Sequence, residues 1–191
     1  FETGACFIKA SIDLPKSISS SGTPTITSTL NFVDKGIVTD LNVVNLQGTH
    51  TYISDLNFTL IAPDNTSNAF WSDPCNWQNN FNINFDDAAA NNNFPCPPTD
   101  GLIYLPDNPL SVFNSTQLQG EWTLSVFDDF DADGGSLNEI VLSACDISTR
   151  RTIILRTIKA SQASWITGST VISSSILIHS NRAIENALII F

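Results

Sequence analysis

Four carboxylates fall within six residues at Asp128, Asp129, Asp131 and Asp133, and Gly134 and Gly135 close the run. From Asp129 onward the stretch DFDADG places acids at alternating positions before a glycine, as in the first half of an EF-hand loop. A hard cation such as calcium takes about six to eight oxygens, and alternating carboxylates on a curved backbone supply several of them. The stretch is not an EF-hand, because Ile140 stands where the bidentate glutamate would be and the flanking residues read as strands. The expected chemistry is calcium held by Asp128, Asp129, Asp131 and Asp133 and completed by a carbonyl or another loop. The competing use of such aspartates is to solvate a turn and cap backbone amides. Asp55, Asp86 and Asp87 form a second candidate calcium set, since paired carboxylates at a strand end repel unless a cation or hydrogen bonds offset them.

Catalysis finds little support. The chain has two histidines, His50 and His179. His50, Asp55 and a serine can be written as a triad, but no nucleophile elbow surrounds any serine. His50 is expected to be a strand-end residue paired with a neighbour. Asp86 and Asp87 are adjacent, so on a strand they point to opposite faces rather than across a cleft as glycosidase carboxyls do. No catalytic residue is expected.

The elements that must hold these groups read as strands. Trp122, Leu124 and Val126 alternate with Thr123 and Ser125, and Ile140, Leu142 and Ala144 repeat the pattern after the acidic stretch, which predicts a hairpin with an acidic connection. Thr25–Phe32, Ile37–Leu46, Leu56–Leu60 and the FNINF run at 81–85 alternate in the same way. Gly36 in the short link Asp34-Lys35-Gly36 is expected to supply a positive φ. Residues 88–109, rich in Ala, Asn and Pro, read as a long connection. Strands at this spacing predict an all-β domain, two antiparallel sheets packed as a sandwich or jelly roll.

Charge divides the chain. Residues 1–146 hold eighteen acids and three lysines, whereas residues 147–191 hold five bases and one acid. A domain over 1–146 followed by a C-terminal extension over 147–191 is therefore expected. The extension's short apolar runs fit a linker, a stub of stacked short strands or, near its end, one amphipathic helix. The formal charge of -11 opposes a nucleic-acid partner, which needs a basic surface. The longest apolar runs fall far short of the roughly 20 residues that cross a bilayer as a helix, so a soluble protein is expected. The chain opens at Phe1 without a basic and then apolar leader, so any signal peptide is expected to be cleaved or to lie upstream.

Cys6, Cys75, Cys96 and Cys145 lack the close spacing of a zinc site and suit the disulfides of a secreted protein. Cys75 and Cys96 bracket a polar loop, and Cys6 and Cys145 flank the acidic region. The pairs Cys75–Cys96 and Cys6–Cys145 are expected, among the three connectivities that four cysteines permit. Trp71, Trp77 and Trp165 lie in polar segments, and an exposed indole beside carboxylates is a sugar-stacking platform, so a carbohydrate-binding or adhesion module is the alternative reading. Asn57, Asn65 and Asn114 occupy glycosylation sequons.

Taken together, GTHTYISDLNFTLIAP, FNINFDDAA, PCPPTDG and GEWTLSVFDDFDADGGSLNEIVL, in that order, resemble the P domain, or homo-B domain, of proprotein convertases and kexins. Related modules follow secreted bacterial serine proteases and metalloproteases or sit in large surface proteins. The resemblance covers roughly residues 12–145 and departs from the family's habit at Glu139-Ile140, where a tryptophan is common. It implies a jelly-roll β-sandwich without catalytic residues, secreted, acting on a neighbouring catalytic domain of the same polypeptide.

Overall fold

The computed structural model describes residues 5–146. Among these, ten strands form two sheets: β1 Ala5–Ala10, β2 Lys16–Ile18, β3 Thr25–Phe32, β4 Val38–His50, β5 Leu56–Ile61, β6 Ser67–Ser72, β7 Phe81–Phe85, β8 Ile103–Tyr104, β9 Gly120–Asp128 and β10 Gly135–Asp146. One sheet runs β1-β10-β4-β7-β8, with β2 also on β10; the other runs β3-β9-β5-β6. Every pairing is antiparallel except β7 with β8, which is parallel. The expected β-sandwich is what the chain forms.

Alternation explains why these segments pair and face as they do. Along β9, Trp122, Leu124 and Val126 are buried while their neighbours are more open, and β7 repeats the pattern with Phe81, Ile83 and Phe85. The inward residues meet between the sheets. Trp71 stacks on Phe58 at 4.9 Å between centroids and meets Phe85 at 5.2 Å, and Phe113 meets Trp122 edge-on at 5.3 Å. Such pairs contribute about 0.5–1.5 kcal/mol each beyond the area they bury. Of the two uses open to Trp71, sugar-stacking platform or cover of the core, the structure selects the second: it is fully buried on β6, a strand whose polar residues Ser67, Asn68 and Ser72 hide it in the sequence.

Two expectations about connections are corrected. β9 and β10 do not form a hairpin: β9 pairs with β3 and β5 in one sheet, β10 with β1, β2 and β4 in the other. The acidic loop is thus an arch that carries the chain from sheet to sheet, across a spacing of about 10 Å that a tight two-residue turn could not bridge. Gly36 does not take a positive φ. It is needed because a Cβ there would lie 2.0 Å from Asp146 Oδ2.

Both disulfides form as expected. Cys6 and Cys145 face each other in the β1–β10 register, and Cys75 joins Cys96 across the polar loop. The C-terminal extension, with Trp165 and His179, lies outside the described residues.

Candidate functional site

One end of the sandwich gathers the acids. β4 ends at His50, whose position opposite Gly135 brings the start of β10 to the same end. Leu56 of β5 pairs with Asp128 of β9, so Asp55 stands directly beside the arch. A single 3-10 turn, Ile53–Asp55, joins β4 to β5 and buries Asp55, which is 8% exposed. The Asp129 amide donates to the Asp55 carbonyl at 2.9 Å, which ties turn and arch together.

Asp128 is fully buried, with Oδ2 3.1 Å from His50 Nε2. His50 Nδ1 in turn lies 2.9 Å from the Tyr52 carbonyl. This meets the expectation that His50 pairs at a strand end and explains why an imidazole is buried there. The remaining arch carboxylates reach in different directions. Asp129 Oδ2 accepts from Asn57 Nδ2 at 3.3 Å, Asp131 Oδ1 from the Gly22 amide at 2.7 Å, and Asp133 Oδ1 from the Thr51 hydroxyl at 2.7 Å. The Thr51 amide donates to the Gly134 carbonyl, and the Gly134 amide to the Thr51 hydroxyl, so the arch is stitched to the end of β4.

Asp55 is the exception in this network. Its Oδ2 is buried and has no hydrogen-bond partner. Burial, then the charges of Asp128, Asp133 and Asp129, push its carboxyl above the usual range, against a smaller opposing pull from His50. Beside it opens a cleft of about 370 Å³ lined by Tyr52, Ser54, Asp55, Phe130 and Asp133. Trp77 stands 80% exposed in the disulfide loop, its ring edge-on to Tyr52 at 5.9 Å.

The second acidic set is not assembled. Asn80, just before β7, donates to the His50 carbonyl, whereas Phe85 at the strand's other end pairs with Val43 in the middle of β4. Asp86 and Asp87 therefore lie a strand's length from Asp55. Asp87 accepts the Leu110 and Ser111 amides at 2.8 and 2.7 Å, and Asp86 accepts the Ala88 amide at 2.7 Å. Those two carboxylates cap local backbone. Asp55 instead joins the arch, a grouping that only the β5–β9 pairing reveals.

A calcium ion fits this end in part. Asp55 supplies an unengaged buried oxygen, and among the described residues Asp129 and Asp133 each keep one carboxylate oxygen outside the hydrogen bonds just given. Yet no group of three or more His, Cys, Asp or Glu side chains stands at metal-holding spacing among the described residues. An ion would have to draw the carboxylates together. Among the described residues no helix is long and apolar enough to cross a membrane.

A search of curated proteins returns no match. Among solved structures the chain is similar to the crystal structure of serine protease of Aeromonas sobria, at 14% identity and a TM-score of 0.50, over 76% of this chain and 28% of that one. At that identity the likeness concerns the fold alone, and the chain spans little more than a quarter of that protein's length. The proprotein convertase P-domain family model matches residues 41–144, more than half of the chain, and takes in most of β4, the acidic arch and most of β10. The chain belongs to the proprotein convertase P-domain family.

Proposed function

We propose that this chain is a non-catalytic accessory module of a secreted, multidomain serine protease or metalloprotease, and that it stabilises or targets the catalytic domain beside it. The family membership carries the reading. Two disulfides support an oxidising, extracellular setting. The engagement of His50 with buried Asp128 supports a structural rather than a catalytic use of that pair. The test is the reading frame that encodes this chain, joined to a stability measurement. A peptidase domain in the same frame, which melts lower when residues 1–146 are deleted, is expected. A frame without any peptidase domain, or a catalytic domain indifferent to the deletion, defeats the reading.

Calcium is the proposed cofactor, with Asp55, Asp129 and Asp133 as principal ligands. Bound there, the ion would neutralise carboxylates that otherwise repel one another. Asp128 and Asp131 hold the arch in place through His50 and Gly22. Isothermal titration of the chelator-stripped protein should show saturable calcium binding, and a flat titration removes calcium from the proposal.

A second reading, binding of polysaccharide, is favoured by Trp77 and its edge contact with Tyr52. A glycan array separates the two, because hits lost on Trp77→Ala belong only to the carbohydrate reading.

A further inference from the structure

The loop from Asp73 to Asn80 holds four non-glycine residues in the left-handed region: Asp73 at φ 47°, Cys75 at 51°, Trp77 at 64° and Asn80 at 63°. Only three other non-glycine residues of the described chain, Asn65, Ser115 and Ala132, have a positive φ. Asp and Asn tolerate that conformation because their short polar side chains bond to nearby backbone, but a bulky tryptophan has no such compensation. A turn alone would form with less strain from Gly or Asn at position 77. Strain of this kind persists only where the surroundings enforce it. Here the Ile53 amide donates to the Gln78 carbonyl at 2.9 Å, the Asn80 amide donates to the His50 carbonyl at 3.2 Å, and Cys75, packed against the core, is bridged to Cys96. All of this holds in place an indole that is 80% exposed and touches the Tyr52 ring edge-on.

The neighbours of Trp77 define what it can hold. Asn76 and Asn79 are exposed and Gln78 is half-exposed, so the indole is ringed by side-chain amides that solvent reaches. An amide is donor and acceptor at once and carries no charge, which matches a sugar hydroxyl, itself both donor and acceptor. From Trp77 the Tyr52 ring leads into the cleft of about 370 Å³, where Phe130, 61% exposed, forms a further aromatic wall and Ser54 brings a hydroxyl. Asp133 at the cleft, with exposed Asp129 and Asp131 on the same arch, makes the rim negative and opposes an anionic ligand. An apolar peptide side chain would strip water from the amides without replacing its hydrogen bonds. A pyranose ring instead sets its C–H face on the indole and turns its hydroxyls to the amides.

We propose that Trp77, with Tyr52 and Phe130, is the platform of a binding site for neutral glycan chains, a step that rests on the polysaccharide reading above and gives it a place and a ligand class. Uncharged hexoses, not uronic acids or sulfated sugars, are its ligands. Because the loop fixes the indole in advance, little ordering of the site opposes binding.

The test titrates the full 191-residue chain with cellohexaose, laminarihexaose and N-acetylchitohexaose, and with hexagalacturonate as the anionic control, while two-dimensional NMR follows the indole N–H signals. Chelator is present throughout, so that no metal offsets the charge of the rim. A saturable shift of the Trp77 signal, identified by its absence in Trp77→Gly, is expected with at least one neutral chain and not with hexagalacturonate. Trp77→Gly should weaken that binding about tenfold or more while the melting temperature stays equal or rises, because glycine accepts the left-handed backbone. Phe130→Ala, at an exposed position, should weaken it several-fold. A lower melting temperature in Trp77→Gly marks the indole as a structural residue and overturns the proposal. Neutral-chain binding that survives both variants also overturns it but leaves the polysaccharide reading standing. Equal or tighter binding of hexagalacturonate defeats the neutral ligand class, and no binding of any saccharide defeats proposal and reading together.

Discussion

The two disulfides close loops of very different length, and that difference sets a quantitative expectation. Cys6 and Cys145 are 139 residues apart and fasten β1 to β10, so the bridge encircles nearly the whole described sandwich. Cys75 and Cys96 are 21 residues apart and close one loop. In the chain-entropy account a cross-link stabilises by restricting the unfolded chain, with a logarithmic dependence on loop length. Those separations give about 5 kcal/mol for the outer bridge and about 3 kcal/mol for the inner one. Removing the outer pair by Cys6→Ala with Cys145→Ala should therefore cost about 1.7 kcal/mol more than removing the inner pair by Cys75→Ala with Cys96→Ala. For a chain of this size that difference amounts to roughly 3–7 °C in melting temperature. Urea unfolding under non-reducing conditions, followed by tryptophan fluorescence, measures both. Equal costs, or a larger cost for the inner pair, refute the entropic reasoning and assign the inner bridge a native-state role in holding the loop that presents Trp77.

Further outcomes follow from the acidic end and from the backbone. Calcium at about a hundredfold above its dissociation constant should stabilise the protein by about 2.7 kcal/mol, and Asp55→Asn should remove most of that gain. Without calcium, the raised Asp55 carboxyl means that the native state binds its proton more tightly than the unfolded chain does. Its contribution to stability therefore rises as pH falls through its folded pKa, and Asp55→Asn should abolish that part of the profile in pH-dependent denaturant titrations. Asp13 behaves oppositely: burial works to raise it, but hydrogen bonds from Lys16, Ser11 and Ser28 and the Lys16 charge prevail and hold it well below the usual range. Its stabilisation is present above the unfolded carboxylate pKa and is lost as pH falls toward the folded one, so Asp13→Asn should flatten the acid limb. Gly135→Ala would set a Cβ 1.8 Å from the Thr49 carbonyl oxygen where the arch enters β10, and should cost about 2–4 kcal/mol in thermal unfolding.

Much of the scaffold was legible because burial on one face leaves a period of two in the sequence. β3 and β7 were bounded correctly by alternation alone, and the cysteine pairing followed from what the spacings bracket. β6 is hidden in the sequence because Ser and Asn interrupt its apolar pattern, and only packing shows Phe70 and Trp71 turned into the core. The acidic stretch was recognised, but its neighbours were not. Nothing between residues 55 and 128 announces that the pairing of Leu56 with Asp128 sets Asp55 beside the arch, whereas Asp86 and Asp87, closer in sequence to Asp55, serve amides elsewhere.

What the sequence by itself determined is therefore local: which residues can be strands, which face each side chain prefers, where glycine and aspartate break the pattern, and which family's motifs these are. Only the tertiary structure decided which sheet each strand joins, since alternation is identical for a hairpin and for an arch between sheets. With that choice came the grouping of Asp55 beside the arch. Side-chain chemistry is written along the chain, but its convergence depends on long-range pairing, which burial and hydrogen bonding select across the whole domain.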